Sequence, residues 1–121
     1  MKSVENFDVA LELLRKAEVL TEPHGVIGNN TDRLRLRATT FNNLGCFYKK
    51  FVHCCVSFPI LIFIERRRAQ PLTALQYLEQ ALRLEIACPS AENPACTQLN
   101  LCAVLSQLGR HQQALQHARS A

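Results

Sequence analysis

Residues 41–48 read FNNLGCFY, and residues 74–81 read ALQYLEQA. Both stretches place small residues among large apolar ones, with Gly45 inside the first and Ala74 and Ala81 at the two ends of the second. Small side chains let two helices approach closely, while the neighbouring Leu, Phe and Tyr side chains fill the remaining volume. The two stretches therefore predict a pair of antiparallel helices packed as one hairpin.

The same order of small and large residues returns in two other parts of the chain. Toward its end, a first helix, a turn and a second helix are predicted by Asn100, Leu101, Cys102, Leu105, Gly109, Ala114, Ala118 and Ala121. A partial copy opens the chain, with Ala10, Leu14 and Ala17 at second-helix positions and Asn6 as an N-cap ahead of Phe7. Such recurrence indicates an array of hairpins in which each covers the apolar face of the next.

Residues 41–48 resemble the aromatic-x-x-Leu-Gly-x-x-Tyr signature of the first helix of a tetratricopeptide (TPR) repeat. Residues 74–81 resemble the Ala-x-x-x-large-x-x-Ala pattern of its second helix, and Gln98 stands where the family has Trp. Ala74 and Ala114 are 40 positions apart, which exceeds the basic period of about 34 residues and is similar to the lengthened repeats of kinesin light chains. The resemblance implies an all-α fold of antiparallel helical hairpins stacked as a short TPR-like α-solenoid.

The predicted organisation is a single TPR-like domain, 1–121. It comprises a half repeat at 1–22, a repeat at 31–88 that carries an insertion at 51–67, and a truncated repeat at 93–121. The chain is thus expected to begin with an unmated second helix and to stop inside another, as in a piece of a longer protein. Uncovered stacking faces at both ends would favour self-association.

Turn-forming and capping residues predict where the helices begin and end. The first helix is expected over 7–21, and Thr31 or Asp32 is expected to cap a second helix that ends near Lys50. Proline suits the first turn of a helix, which assigns that position to Pro71 and Pro94. The remaining boundaries are an end near Cys88 ahead of Pro89, an N-cap at Asn93 and a stop at Gly109.

The insertion at 51–67 lies where the repeat needs only a short turn. Eleven of its first fourteen residues are apolar, yet a helix of that length reaches only about 21 Å, short of the roughly 30 Å hydrocarbon core of a bilayer. Three interpretations stay open. The segment is an apolar loop or short helix folded back on the hairpins, an insertion without a selected role, or a membrane-surface contact through 51–64 with its basic flanks.

Composition and motifs argue against several other classes of function. The net charge is +4 and the cations are scattered, which predicts solvated helix faces and no nucleic-acid partner. They include Arg33, Arg35, Arg37, Lys49, Lys50 and the run at 66–68. Residues 1–20 lack the pattern of a secretory signal, so a cytoplasmic location is expected.

The six cysteines form no C-x-x-C pair and have no histidine at zinc-ligand spacing, which predicts buried thiols and no metal. The four histidines are dispersed, and no nucleophile–base pair or phosphate-binding loop is recognisable. The chain is therefore not expected to be an enzyme or to need a cofactor.

The resemblance implies a protein–protein interaction module, a scaffold or adaptor that holds a peptide or helical segment of a partner in a concave groove lined by first helices. Carried over by position, the predicted groove residues are Asn42, Asn43, Cys46, Lys49, Lys50, Asn100, Ala103 and Gln107. Asn43 and Asn100 occupy equivalent positions, where a carboxamide can both donate to and accept from a peptide backbone. Plain solvation of an exposed helix face, or repeat ancestry, explains the same recurrence.

Overall fold

The computed structural model describes the backbone of residues 2–54, 60–88 and 94–121, and the side chains of residues 8–49, 71–88 and 95–121. The regular structure of these ranges is α-helical throughout, which confirms the predicted all-α class for them. The helices are α1 (Lys2–Leu20), α2 (Asn30–Cys54), α3 (Ile60–Ala87), α4 (Pro94–Gln107) and α5 (His111–Ser120).

Each helix packs against the next one in the chain, and α2 also contacts α4. Phe41 shares a buried cluster with Ala81, while Gly45 faces Ala74 and Leu78. The earlier of these α2 residues therefore meets the later part of α3, which shows that the two helices are antiparallel. A second cluster joins α3 to α4 and α5 through Ala74, Leu75, Leu78, Leu101, Val104, Leu105 and Ala114.

The close approach of α2 and α3 depends on the small residues that the sequence pattern singled out. Ala74 and Ala81 are fully buried. A Cβ atom added to Gly45 would lie 2.5 Å from Cγ of Leu78, so this crossing has no room for a methyl group. Ala118 and Ala121 do not follow the prediction: both are exposed, and Ala121 lies beyond the end of α5.

Two arginines of α2 hold the end of α1. The Arg33 guanidinium donates to the Thr21 carbonyl oxygen at 3.1 Å, and that of Arg37 donates to the Glu18 carbonyl oxygen at 2.9 Å. The last carbonyls of a helix lack partners inside the helix and carry partial negative charge, so guanidinium donors suit them. The prediction of a solvated face is therefore wrong for Arg33 and Arg37, whereas Arg35 is exposed and pairs with Asp32.

Aromatic residues join α1, α2 and α3 beside this junction. The rings of Tyr48 and Tyr77 are stacked with centroids 5.8 Å apart. Tyr48 forms a hydrogen bond with Arg15 that raises the pKa of that guanidinium, and burial, followed by the Glu18 charge, raises the pKa of Tyr77. These contacts fix α1 across the α2–α3 pair.

The helix boundaries correct several predictions. Asn29 caps α2, because its Oδ1 accepts from the amides of Thr31 at 3.0 Å and Asp32 at 3.3 Å; Thr31 and Asp32 are donors here and not caps. Helix α1 begins at Lys2, so Asn6 lies inside it, since no Gly or Pro interrupts residues 2–20. Residue 93 is outside the described residues.

Other boundaries are confirmed. Pro94 opens α4, and α3 ends at Ala87, next to Cys88. After α4, Gly109 adopts a φ of +76°. The Arg110 amide donates to the Leu105 carbonyl oxygen at 2.8 Å, and the Gly109 amide donates to the Ser106 carbonyl oxygen at 3.1 Å. This is the Schellman arrangement, in which a residue with positive φ ends the helix.

The helices on both sides of the insertion are longer than the predicted boundaries at Lys50 and Pro71. Helix α2 continues to Cys54 and α3 begins at Ile60, so Pro71 lies inside α3 and not in its first turn. Residues 60–70 contain neither Gly nor Pro and include Leu, Glu, Arg, Ala and Gln, which favour a helix. The insertion therefore lengthens both helices of the hairpin. Residues 55–59, and the side chains of 50–70, lie outside the described residues.

Candidate functional site

Two asparagine side chains link α2 to α4 at the predicted groove. Asn100 Nδ2 donates to Asn42 Oδ1 at 3.1 Å. The same nitrogen lies 3.2 Å from Cys46 Sγ on α2 and 3.8 Å from Cys96 Sγ one turn earlier on α4. We call these four residues the amide–thiol cluster.

Buried neighbours set the direction of these polar side chains. Leu44 and Gly45 face the core from α2, and Leu101 and Val104 face it from α4. With about 3.6 residues per turn, adjacent positions point away from that buried face. Asn42, Cys46 and Asn100 are accordingly half-buried, at the boundary between the core and solvent.

The paired amides keep hydrogen-bonding capacity for a ligand. Among the described residues, the Asn42 amide nitrogen and the Asn100 carbonyl oxygen have no further hydrogen-bond partner. Turning both amides over would exchange these roles, so either orientation leaves one donor and one acceptor available. A donor beside an acceptor is the set of groups that binds one peptide unit of an extended chain.

The structure brings together three of the eight predicted groove residues, namely Asn42, Cys46 and Asn100. Asn43 and Gln107 are exposed, and Lys49 and Ala103 are half-buried. The side chain of Lys50 lies outside the described residues. Asn43, which the sequence pattern matched with Asn100, is not its partner; Asn42, one position earlier, takes that contact.

The cysteines only partly follow the prediction of buried thiols. Cys88 is buried and Cys46 and Cys102 are half-buried, whereas Cys96 is exposed. Cys96 lies in the first turn of α4, one turn before Asn100, on a part of the helix that the core does not cover. The side chains of Cys54 and Cys55 are outside the described residues.

A buried acid at the α3–α4 junction was not anticipated. Glu85 is only 8 % exposed, and its Oε1 accepts from the Thr97 hydroxyl at 2.7 Å. Its Oε2 is buried and has no hydrogen-bond partner among the residues that the structure describes. Burial raises the pKa of Glu85, and the Thr97 hydrogen bond partly opposes that rise. The signal in the sequence is spacing: Glu85 continues the buried stripe of Ala74, Leu78 and Ala81.

A hydrogen bond and a concavity lie outside the amide–thiol cluster. The side chains of Gln98 and His117 are hydrogen-bonded and join α4 to α5. Separately, an open concavity of about 610 Å³ runs along α1, with described lining residues Asp8, Leu11, Glu12, Arg15, Lys16, Val19 and Leu20. These belong to one helix and include no predicted groove residue.

No group of three or more His, Cys, Asp or Glu side chains gathers as a metal-ligand set in the described residues. Within the described part of the chain, none of the helices carries an apolar stretch long enough to cross a bilayer. The membrane-surface alternative depends on 51–64, whose side chains fall outside the described set.

No protein-family model, curated protein or solved structure matches this chain.

Proposed function

We propose that the chain is a protein–protein interaction module of the TPR kind, in which α2–α3 and α4–α5 are successive antiparallel hairpins of a short α-solenoid. In this arrangement α2 and α4 are neighbouring first helices, and the surface between them holds an extended segment of a partner protein. The proposed role is that of a cytoplasmic scaffold or adaptor without catalytic activity.

The hydrogen bond between Asn100 and Asn42 is the observation that supports this proposal most. It joins the two helices that the repeat pattern assigns to the groove, and it involves residues at groove positions. In the proposed arrangement, Asn42 and Asn100 belong to one common surface. A ligand lying across that surface meets side chains of both repeats at once.

The chemistry of the amide pair suits recognition of a backbone more than of a particular side chain. One donor and one acceptor can bind the carbonyl and amide of a single peptide unit, as a neighbouring strand would. Lys49 follows Cys46 by three positions on the same helix and adds positive charge nearby. An extended segment that carries acidic residues is therefore the partner chemistry we favour.

The experiment starts from a random-peptide display library selected on the reduced full chain. The best peptide is then titrated by fluorescence anisotropy against the wild type and the double variant Asn42→Ala, Asn100→Ala. Two hydrogen bonds at about 1 kcal/mol each correspond to roughly a thirtyfold rise in Kd. The matched control is Gln80→Ala, which removes an exposed carboxamide from α3 and is expected to leave the Kd unchanged.

Far-UV circular dichroism verifies that each variant keeps its helix content. If the double variant binds the selected peptide as tightly as the wild type does, the groove assignment is wrong. If the library yields no peptide above background, the interaction function itself is refuted.

A further inference from the structure

Cys46 and Cys96 both contact the same atom, Nδ2 of Asn100. Asn100 Nδ2 is 3.2 Å from Cys46 Sγ and 3.8 Å from Cys96 Sγ, so the two sulphur atoms are no more than about 7 Å apart. They belong to different helices, α2 and α4, which contact each other directly. Both carry thiols in this structure.

A disulfide between them needs an S–S distance of about 2.05 Å. Rotation of a cysteine side chain from one staggered rotamer to another moves its sulphur by about 3 Å. Closing a gap of at most about 7 Å to this length requires up to about 5 Å of movement, and two rotations that turn the sulphurs toward each other supply up to about 6 Å. Both sulphurs contact the Asn100 amide nitrogen, and turning them toward each other breaks at least one of these contacts, so we expect the amide to leave its present position.

We propose that Cys46 and Cys96 are a redox-active dithiol, which a low-molecular-weight disulfide such as oxidised glutathione converts to a disulfide, displacing Asn100 from Asn42. The exposed Cys96 thiolate attacks the oxidant first, forming a mixed disulfide and releasing one reduced glutathione. The half-buried Cys46 thiolate then attacks the Cys96 sulphur and releases the second. The two protein thiols lose two electrons, and their protons end on the two released glutathione thiols.

The exposure of the two thiols supports this order of events. Cys96 is open to solvent, where a bulky tripeptide disulfide can reach it, whereas Cys46 is half-buried and protected from the large oxidant. An accessible attacking thiol beside a protected resolving thiol is the usual arrangement of reversible redox sites. The cross-link would join the two first helices covalently and remove their amide hydrogen bond.

Disulfide formation has a second consequence, weaker binding of a peptide, which rests on the proposed function. Displacing Asn100 separates the donor and acceptor that would bind one peptide unit. We expect the oxidised chain to bind the library-selected peptide with a Kd at least about tenfold higher, the loss of one to two hydrogen bonds. Dithiothreitol should restore binding.

The test of the dithiol itself uses no peptide. The full chain is incubated with oxidised glutathione, alkylated and digested with trypsin, and the linked peptides are sequenced by tandem mass spectrometry. Cys46 is released within residues 38–49, and Cys96 within residues 84–110, which also contain Cys88 and Cys102. Fragment ions therefore have to assign the link to the Cys96 sulphur.

Three variants separate the possible results. Cys46→Ser should accumulate a stable glutathione adduct on Cys96, Cys96→Ser should lose the link to residues 38–49, and Cys102→Ser should behave as the wild type does. A wild type that stops at the glutathione adduct, or a Cys46 linked to a cysteine other than Cys96, overturns the proposal. Because these readouts omit the peptide, an intact disulfide with absent peptide binding refutes only the proposed function.

Discussion

Replacing Gly45 by alanine introduces a methyl group at the tightest contact between α2 and α3. Its Cβ would lie 2.5 Å from Cγ and 2.6 Å from Cδ2 of Leu78, and 3.3 Å from the carbonyl oxygen of Ala74. Leu78 is fully buried, and Cγ is a branch point instead of a mobile end, so the whole side chain has to move. Overpacking of this kind costs about 2–3 kcal/mol, at the upper end of its usual range.

Alanine also has a favourable effect in a helix. It exceeds glycine in helix propensity by about 1 kcal/mol, so the expected net loss for Gly45→Ala is about 1–2 kcal/mol. For a domain of this size, each kcal/mol corresponds to a fall in Tm of roughly 3–6 °C. Thermal unfolding followed by circular dichroism at 222 nm, an established helix signal, measures this shift directly.

Two companion variants make the measurement specific to packing. Gly28→Ala adds a methyl group where nothing lies within 4 Å, and it should leave Tm unchanged or raise it slightly. In a Leu78→Ala background, where the obstructing side chain is removed, Gly45→Ala should become stabilising. A Gly45→Ala protein that melts at or above the wild-type temperature would refute the close α2–α3 approach.

Two further substitutions probe the helix junctions. The raised pKa of Glu85 means that ionising this carboxyl opposes folding. The free energy that this ionisation costs the folded state is absent below the unfolded-state pKa of about 4.3. It develops as pH rises through the folded-state pKa. Glu85→Gln should therefore raise Tm at pH 7 and have little effect on Tm at pH 4. The control Glu79→Gln, at an exposed site on the same helix, should leave Tm unchanged at both pH values. If Glu85→Gln shifts Tm equally at both pH values, the burial argument is contradicted. Asn29→Ala removes the α2 cap and should lower the free energy of unfolding, measured in urea, by about 1 kcal/mol, while Asn29→Asp should retain most of the stability. An Asn29→Ala variant as stable as the wild type would exclude the capping role.

Part of the candidate site could be predicted from the sequence, because the resemblance to the repeat pattern assigned Asn42, Cys46 and Asn100 to one predicted surface. Asn42, Cys46 and Asn100 share a surface since each lies beside residues whose apolar or small side chains face the core. The pairing of Asn100 with Asn42, one position away from the expected equivalent Asn43, depends on the rotation and offset of α4 against α2. That offset is set by packing between residues about sixty positions apart, which a local pattern does not encode.

The helical class, the positions of the small residues at the α2–α3 crossing and the stops at Cys88 and Gly109 could be predicted, because they depend on local backbone preferences and on spacing within one helix. Packing between whole helices was needed to show that Arg33 and Arg37 hold the end of α1, that Glu85 is buried against Thr97, and that both thiols contact Asn100. Each of these arrangements involves two different helices. The rotation and offset of one helix relative to another depend on the packing of the whole core, so local sequence patterns do not predict them.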